Sequence, residues 1–365
     1  MNGSNEQISS TQAAVALIMT ITGVGIVTLP RALAEEVQTP DIWISMIIGG
    51  GISIVIAFFI TRLCHQFKGM TIYQFSPILV GKWVGLVCNL FIIMYFILVA
   101  GFQARSMAEV LRAYLLDKTP LGVMIIVYIS VGVYIVISGI YSIAKLLQIY
   151  FPVVLVFILF MIGLSLKNID FNNLRPVLGG GFIPVVKGVM PTTLSLAGAE
   201  IYLILMAYME QPKKAMKAAA VGLLITVFFY ILIVVAVIGA LTVDEVRLLT
   251  WPTIELVKSI EMKLFFLERL ESFFIILWVI TTFTSFIMNF YLASLGLSQA
   301  FKRTYKPFVY GLVPVIYICA MYPEDINRLF KLGDFIGNMS IAVAGVIPVL
   351  FLLIAFIRRK RNAKN

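Results

Sequence analysis

The fold of this chain is decided first by Ile21-Thr22-Gly23-Val24-Gly25-Ile26, a stretch in the middle of an apolar segment. A second such stretch, Pro191-Thr192-Thr193-Leu194-Ser195-Leu196-Ala197-Gly198-Ala199-Glu200, lies in the middle of another apolar segment. Both place glycine, hydroxyl or proline residues where an uninterrupted helix favours leucine and alanine. The two stretches therefore predict two helices that are broken near their centres.

The composition places these helices in a membrane. Of the 365 residues, 61% are hydrophobic and 13% are charged, and the mean hydropathy is +1.01. Soluble domains are about 45–50% apolar and about 25% charged, so a soluble fold could not bury this much apolar surface, whereas lipid accepts it. Because lipid cannot satisfy an exposed backbone, we expect an all-α membrane protein. A single transmembrane domain would take up residues 1–365.

A spanning helix needs about 20 mostly apolar residues, and ten segments come close to this length. They are 9–33, 42–64, 83–106, 121–139, 142–166, 183–209, 217–241, 270–300, 307–321 and 336–357. The broken helices are the first and the sixth, which correspond if the chain consists of two five-helix repeats, at about 9–166 and 183–357. Since each repeat has an odd number of spans, the second would be inverted in the membrane relative to the first.

Paired interruptions at corresponding positions are typical of a transporter binding site. Each interruption alone has an ordinary explanation, which is a close helix contact at Gly23 and Gly25 and a kink at Pro191. The pairing favours the binding site.

A free amino acid matches the backbone groups that two broken helices expose. Its carboxylate can accept hydrogen bonds from N–H groups at the start of a half-helix, where the helix dipole favours negative charge. Its ammonium can donate to exposed carbonyls. We predict that the carboxylate is bound by Gly23, Val24 and Gly25. We predict that the ammonium and side chain lie against Ser195, Leu196 and Gly198.

Glu200 is the only acidic side chain well inside a predicted span. A charge at membrane depth is costly, so an intramembrane carboxylate indicates a functional site. Three roles remain open for it: a proton acceptor, a counter-ion, or a hydrogen-bonding group that holds the broken helix.

Two further spans carry candidate cavity residues. In the eighth span, Thr281, Ser285 and Asn289 recur at intervals of four and so share one helix face. They either line a cavity or form hydrogen bonds between helices. In the third span, Val99-Ala100-Gly101 is a run of small residues that allows close packing or forms a pocket wall.

The net charge of +10 does not indicate a nucleic-acid-binding surface, because the basic residues cluster beside the ends of apolar segments. These clusters, with one in the tail at 358–364, predict that both termini are cytoplasmic. The three cysteines and the single histidine are not spaced as a metal site. We expect a protein of the lipid bilayer that is not an enzyme and uses neither metal nor cofactor.

Motifs along nearly the whole chain resemble the B subunits of nutrient germinant receptors of endospore-forming bacteria, in the amino acid–polyamine–organocation transporter superfamily. They are Gly23-Val-Gly25-Ile-Val-Thr-Leu-Pro30-Arg31-Ala32-Leu33, Arg105-Ser-Met-Ala-Glu109, Asn173-Leu-Arg175-Pro176-Val-Leu-Gly179, Trp251-Pro252-Thr253 and Glu268-Arg269-Leu-Glu271-Ser272-Phe273. The resemblance implies a LeuT-like inverted-repeat fold of ten helices with a ligand site between spans one, three, six and eight. It implies pocket positions at Gly23, Val99, Leu196, Ser285 and Asn289.

The resemblance also implies a place in the inner membrane of the dormant spore and a complex with an A subunit and a lipoprotein C subunit. Such a subunit senses a small nutrient, often an amino acid, and triggers germination. A proton- or sodium-coupled amino-acid transporter with Glu200 in the ion path is the alternative. A passive scaffold for the A subunit would leave the paired interruptions unexplained.

Overall fold

The computed structural model describes residues 7–260 and 270–362, with side chains described as far as residue 358. In these ranges no residue belongs to a β-strand, and one isolated bridge joins Ile8 to Met209. The all-α class predicted from the sequence is confirmed. Glu268-Arg269 of the last motif and the tail side chains beyond residue 358 lie outside the described part of the chain.

The described chain is a succession of helices with short connections. They are α1 (Ser10–Ile21), α2 (Gly25–Val37), α3 (Ile42–Cys64), α4 (Ile72–Val80), α5 (Lys82–Tyr114), α6 (Leu121–Val136), α7 (Ile140–Ser165), α8 (Phe182–Lys187), α9 (Thr192–Ser195), α10 (Tyr202–Leu205), α11 (Ala215–Leu248), α12 (Pro252–Lys258), α13 (Leu270–Phe301), α14 (Tyr305–Met321), α15 (Ile326–Ser340) and α16 (Ile347–Asn362). A π-helical turn, Ile341–Val346, joins α15 to α16. Thr242 interrupts α11 with a non-helical backbone, so the spanning part of α11 ends at Leu241.

Ten spans can be traced through these helices. In the described ranges, six helices are long and apolar enough to cross a membrane, and α1 with α2, bent by 55° at their break, forms a seventh. The shorter apolar helices Leu121–Val136, Ala199–Tyr208 and Tyr305–Met321 account for the remaining three. At the centre, α5 packs against α13, and α1 packs against α7, α11 and α13.

The third span is longer than the sequence predicts, because α5 continues from residue 106 to Tyr114. Arg105 and Glu109, one turn apart, form an ion pair of 2.9 Å in which the two side chains are only 3% and 6% exposed. The other oxygen of Glu109 pairs with Arg112 at 2.6 Å, and these opposite charges allow the helix to carry Arg105 and Glu109 while both are buried. Glu109 is thus a second buried acid within a span, which corrects the prediction that Glu200 stands alone.

The tenth span also begins earlier than predicted, at Ile326 rather than residue 336. The additional turns carry Arg328, Lys331 and Asp334, which a search for apolar segments passes over. The Asp325 carboxylate caps this helix by accepting a hydrogen bond of 2.8 Å from the backbone N–H of Arg328.

The N-terminal segment lies beside the end of the sixth span. The Ile8 N–H donates to the Tyr208 carbonyl at 2.8 Å, and the Glu210 N–H donates to the Ile8 carbonyl at 3.0 Å. The segment before span one and the end of span six therefore share one side of the bundle. Strict alternation of six spans requires this arrangement.

Candidate ligand cavity between the two broken helices

The first break runs from the end of α1 at Ile21 to the start of α2 at Gly25. A break frees carbonyls that must find donors in a dry interior, and side chains of spans seven and eight supply them. The bonds are Tyr230 Oη to the Ile21 carbonyl (2.8 Å) and Trp278 Nε1 to the Gly23 carbonyl (3.2 Å). The Thr284 hydroxyl lies 3.2 Å from the Met19 carbonyl but closer, at 2.7 Å, to the Thr281 carbonyl of its own helix. The break is thus held by hydrogen bonds to its neighbours.

Three backbone N–H groups at this break, unlike the carbonyls, are not paired with atoms of the described residues. In the described part of the chain, no protein atom accepts a hydrogen bond from the N–H of Gly23, Val24 or Gly25. These donors lie at the N-terminus of α2, a helix of 13 residues. Oriented N–H groups at a helix N-terminus favour an anion.

Both glycines of this break are closely packed by neighbouring side chains. A Cβ on Gly23 would lie 2.7 Å from Gln103 Nε2 and 3.0 Å from Ser285 Cβ, and a Cβ on Gly25 would collide with the Tyr230 hydroxyl. Any larger residue must displace these neighbours.

The second break separates α9, which ends at Ser195, from a 3₁₀ turn that begins at Ala199. Gly198 has a φ of 157°, a conformation that residues with a Cβ rarely adopt. Its N–H donates to Glu200 Oε2 at 2.8 Å, and the Tyr95 hydroxyl donates to Glu200 Oε1 at 2.6 Å. Each carboxylate oxygen thus has a donor. This geometry favours the role of holding the broken helix, while the proton and counter-ion roles stay predictions.

A cavity of about 30 Å³ lies between the two breaks. This volume holds one or two water molecules. Its wall includes most of the residues that were predicted to bind the ligand. They are Val24, Gly25, Val99, Ser195, Ser285 and Asn289, together with Glu200.

Three predicted ligand residues do not line this cavity. Gly23 lies beside it, with its α-carbon facing Gln103 and Ser285. Leu196 lines a second cavity, of about 60 Å³, on the far side of the broken sixth span. Gly198 faces the Ile21 side chain and directs its N–H to Glu200. The structure thus brings together six of the nine predicted ligand residues.

The polar stripe of the eighth span divides between the two roles that the sequence left open. Ser285 and Asn289 line the cavity, and Asn289 Nδ2 donates to the Ser285 carbonyl at 2.8 Å. Thr281 instead donates its hydroxyl to the Trp278 carbonyl of its own helix at 2.7 Å.

Gln103 is a cavity residue that the sequence reasoning missed. It lies one turn beyond Val99 in α5, is 7% exposed, and donates from Nε2 to Ser285 Oγ at 2.8 Å. Its position four residues after a predicted pocket residue, within an apolar span, is the signal that could have identified it.

The helix α12 covers the first broken span from the side opposite the N-terminal segment. The Thr253 hydroxyl donates to the Ile26 carbonyl at 2.8 Å. The Trp251 ring lies 5.7 Å from the Phe330 ring, and the Arg31 guanidinium lies 4.8 Å from the centre of the same ring. Residues of the two motifs that contain Arg31 and Trp251-Pro252-Thr253 thus pack together beside α2.

Comparison with known proteins identifies the family. The model of a family described as spore germination protein matches residues 7–329 of the chain. The chain belongs to this family. It is 38% identical to the spore germination protein YndE of Bacillus subtilis (strain 168) over 354 residues, which are 97% of this chain and 98% of that protein.

Solved transporters share the fold of this family member. Mhp1, a nucleobase-cation-symport-1 family transporter in a closed conformation with bromovinylhydantoin bound, matches with a TM-score of 0.73 and 16% identity over 99% of this chain and 82% of its own. MhsT in complex with L-phenylalanine matches with a TM-score of 0.65 and 15% identity over 97% of this chain and 99% of its own. The predicted LeuT-like fold is confirmed, and the chain is a multi-pass membrane protein. These relatives are a germination protein and transporters, not enzymes. The bounds of the two repeats stay a prediction.

Proposed function

We propose that this chain is a subunit of a germinant receptor and that it binds a small nutrient, an amino acid, in the cavity between the two broken helices. One observation carries the proposal. The N–H groups of Gly23, Val24 and Gly25 have no acceptor in the described part of the chain, and they stand beside a cavity at the start of α2. A carboxylate supplies what these donors lack.

The small volume of the cavity implies that ligand binding moves the spans. A cavity of about 30 Å³ does not hold an amino acid, so the ligand must separate the walls or bind a more open state. The ligand shifts such an equilibrium only by its differential affinity for the two states, about 1.4 kcal/mol for each tenfold shift. In the proposed receptor, an A subunit and a lipoprotein C subunit detect the changed state in the spore inner membrane and trigger germination. Both termini are proposed to be cytoplasmic.

A transporter coupled to protons or sodium is the second candidate. Glu200 favours it, because this carboxylate lines the cavity at the break of the sixth span. In such a transporter Glu200 would lie in the ion path. The Glu200→Gln variant would then lose flux.

Binding and transport should be measured on one preparation of the full chain. We expect labelled amino acids to bind saturably to the protein in liposomes, without concentrative uptake under proton or sodium gradients. Uptake that collapses with an ion gradient would make the protein a transporter. An absence of saturable binding for all twenty proteinogenic amino acids would overturn the proposed ligand class.

The same proposal is testable in spores. Gly25→Leu should abolish the nutrient response while the A and C subunits assemble at normal levels. Gly51→Leu is the matched control, because a Cβ at Gly51 meets open space on the outer face of α3. A normal response in Gly25→Leu spores would favour the passive scaffold.

A further inference from the structure

The amide of Gln103 is only half paired. Its Nε2 donates to Ser285 Oγ across the gap between α5 and α13, whereas its Oε1 is buried and meets no donor in the described part of the chain. A buried acceptor without a donor is costly. Most such atoms in native proteins are paired with protein, ligand or ordered water, and Oε1 of Gln103 belongs to a residue on the wall of the cavity between the breaks, where a bound ligand can supply the donor.

The other unpaired side-chain atoms in the described residues are of a different kind. They are the hydroxyls of Ser106 and Tyr202, together with that of Tyr128, which lies beside Thr282. A hydroxyl has a donor as well as acceptor lone pairs, and none of these three residues lines the cavity between the breaks. Gln103 combines an unpaired oxygen that can only accept with a position on the cavity wall.

The unpaired oxygen stands next to the first break. A Cβ built on Gly23 would lie 2.9 Å from Gln103 Oε1, so this acceptor adjoins Gly23, and Gln103 lines the same cavity as Val24 and Gly25. An α-amino acid carries its ammonium and its carboxylate on the same carbon atom. A site for it needs an acceptor directly beside anion-binding donors, and Gln103 provides that acceptor.

We infer that Gln103 is a specificity-determining residue whose Oε1 accepts an N–H of the ligand's ammonium group, and that it selects α-amino acids over acids without the amino group. This inference rests on the proposed function of the cavity. The ammonium has three donors, so a bond to Gln103 is compatible with further bonds to carbonyls of the broken sixth span. In the observed orientation of the amide, Nε2 is occupied by Ser285 Oγ and Oε1 is left for the ligand.

The test compares ligands as well as variants. Binding of the twenty proteinogenic L-amino acids to the full chain in lipid nanodiscs is measured first, and each binder is then compared with its des-amino carboxylic acid and its decarboxylated amine. The wild type should bind the amino acid at least about tenfold more tightly than the des-amino acid, since a site built for a hydrogen bond rejects the analogue that lacks it. Equal affinities for the two would overturn the inference without any variant.

Two variants locate the effect at residue 103. Gln103→Met keeps the length of the side chain but removes the acceptor. It should lower the affinity for the amino acid about tenfold and leave the affinity for the des-amino acid unchanged. Gln103→Glu keeps an acceptor and should retain the preference for the amino group. Thermal unfolding without ligand verifies that both variants fold.

The failures are distinguishable. If Gln103→Met lowers the affinities for the amino acid and the des-amino acid equally, Gln103 only shapes the cavity. A loss confined to ligands that carry the carboxylate, with the decarboxylated amine unaffected, would assign the amide to the carboxylate. Both results overturn the inference and leave the proposed function intact. A wild type that binds no amino acid overturns the proposed function itself.

Discussion

The Tyr95 hydroxyl donates a hydrogen bond of 2.6 Å to Glu200 Oε1, at a point where Glu200 is 2% exposed. This bond joins an unbroken helix, α5, to the break of the sixth span. The other carboxylate oxygen accepts the N–H of Gly198 within the break. Glu200 therefore ties the break of the sixth span to α5, which also carries Val99 and Gln103 in the cavity wall.

Removal of the Tyr95 hydroxyl should destabilise the protein. Tyr95→Phe leaves Glu200 Oε1 buried without this donor, which should lower the free energy of unfolding by about 1–3 kcal/mol. Denaturant unfolding in nanodiscs measures it. Tyr114→Phe is the control: it removes a donor 2.7 Å from Glu255 Oε1, but Glu255 is 28% exposed and pairs with Lys258. Equal losses in the two variants would contradict the importance of the Tyr95–Glu200 bond.

The support of the first break is tested by two buried tyrosines. Tyr230→Phe removes the hydroxyl that donates to the Ile21 carbonyl at 2.8 Å, and it should cost about 1–3 kcal/mol of unfolding free energy. Tyr202→Phe removes an equally buried hydroxyl that has no partner in the described part of the chain. It should be neutral or stabilising, because it relieves an unpaired group. Thermal unfolding of the two variants side by side gives the comparison, and a Tyr230→Phe variant as stable as wild type would refute it.

Substitution at the break should impair binding. The Cβ of Gly25→Ala would collide with the Tyr230 hydroxyl and lie 3.2 Å from Ser195 Cβ, so the break must shift. We expect at least about a tenfold loss of amino-acid affinity, or about 1.4 kcal/mol. Gly51→Ala, where the new methyl group meets open space, should bind as the wild type does and be equally stable or slightly more stable. Unchanged affinity in Gly25→Ala would show that the ligand does not use this break.

The buried ion pair of α5 should contribute more to the stability of the protein than an exposed pair does. Glu109→Gln leaves the guanidinium of Arg105, which is 3% exposed, without its counter-charge, and loss of one partner of a buried pair costs about 3–5 kcal/mol. Glu35→Gln removes the partner of Arg31 in an exposed pair of the same i,i+4 spacing and should cost at most about 1 kcal/mol. The yield of folded protein in membranes and its thermal unfolding report the difference. Similar losses in both variants would mean that Arg105 finds another partner.

The fold could be predicted because its signals are local. Apolar segments of spanning length, and glycine or proline in the middle of two of them, need no knowledge of neighbours. The predicted bounds of two spans were wrong, because both helices continue through charged residues that a search for apolar segments does not detect. Arg105 and Glu109 extend the third span to Tyr114 because they neutralise each other. The tenth span likewise begins at Ile326, ahead of the apolar segment.

Part of the site was also predictable, because the helix breaks that form it are local signals in the sequence. The breaks themselves identified Val24, Gly25 and Ser195, but the sequence could not show that Leu196 and Gly198 turn away from the cavity, because a one-residue change of direction depends on backbone angles such as the φ of Gly198. Nor could it show that Trp278 and Tyr230 supply donors to the first break. These residues are distant along the chain.

By itself, the sequence determined that the chain crosses a membrane as helices and that two of these helices are broken, because composition, segment length and backbone preference are properties of single residues and short stretches. Only the tertiary structure decided how the breaks are satisfied and which groups remain unpaired. Hydrogen bonds such as those from Tyr95 to Glu200 and from Gln103 to Ser285 join residues more than a hundred positions apart. Their existence depends on the packing of whole helices, which no local stretch of sequence specifies.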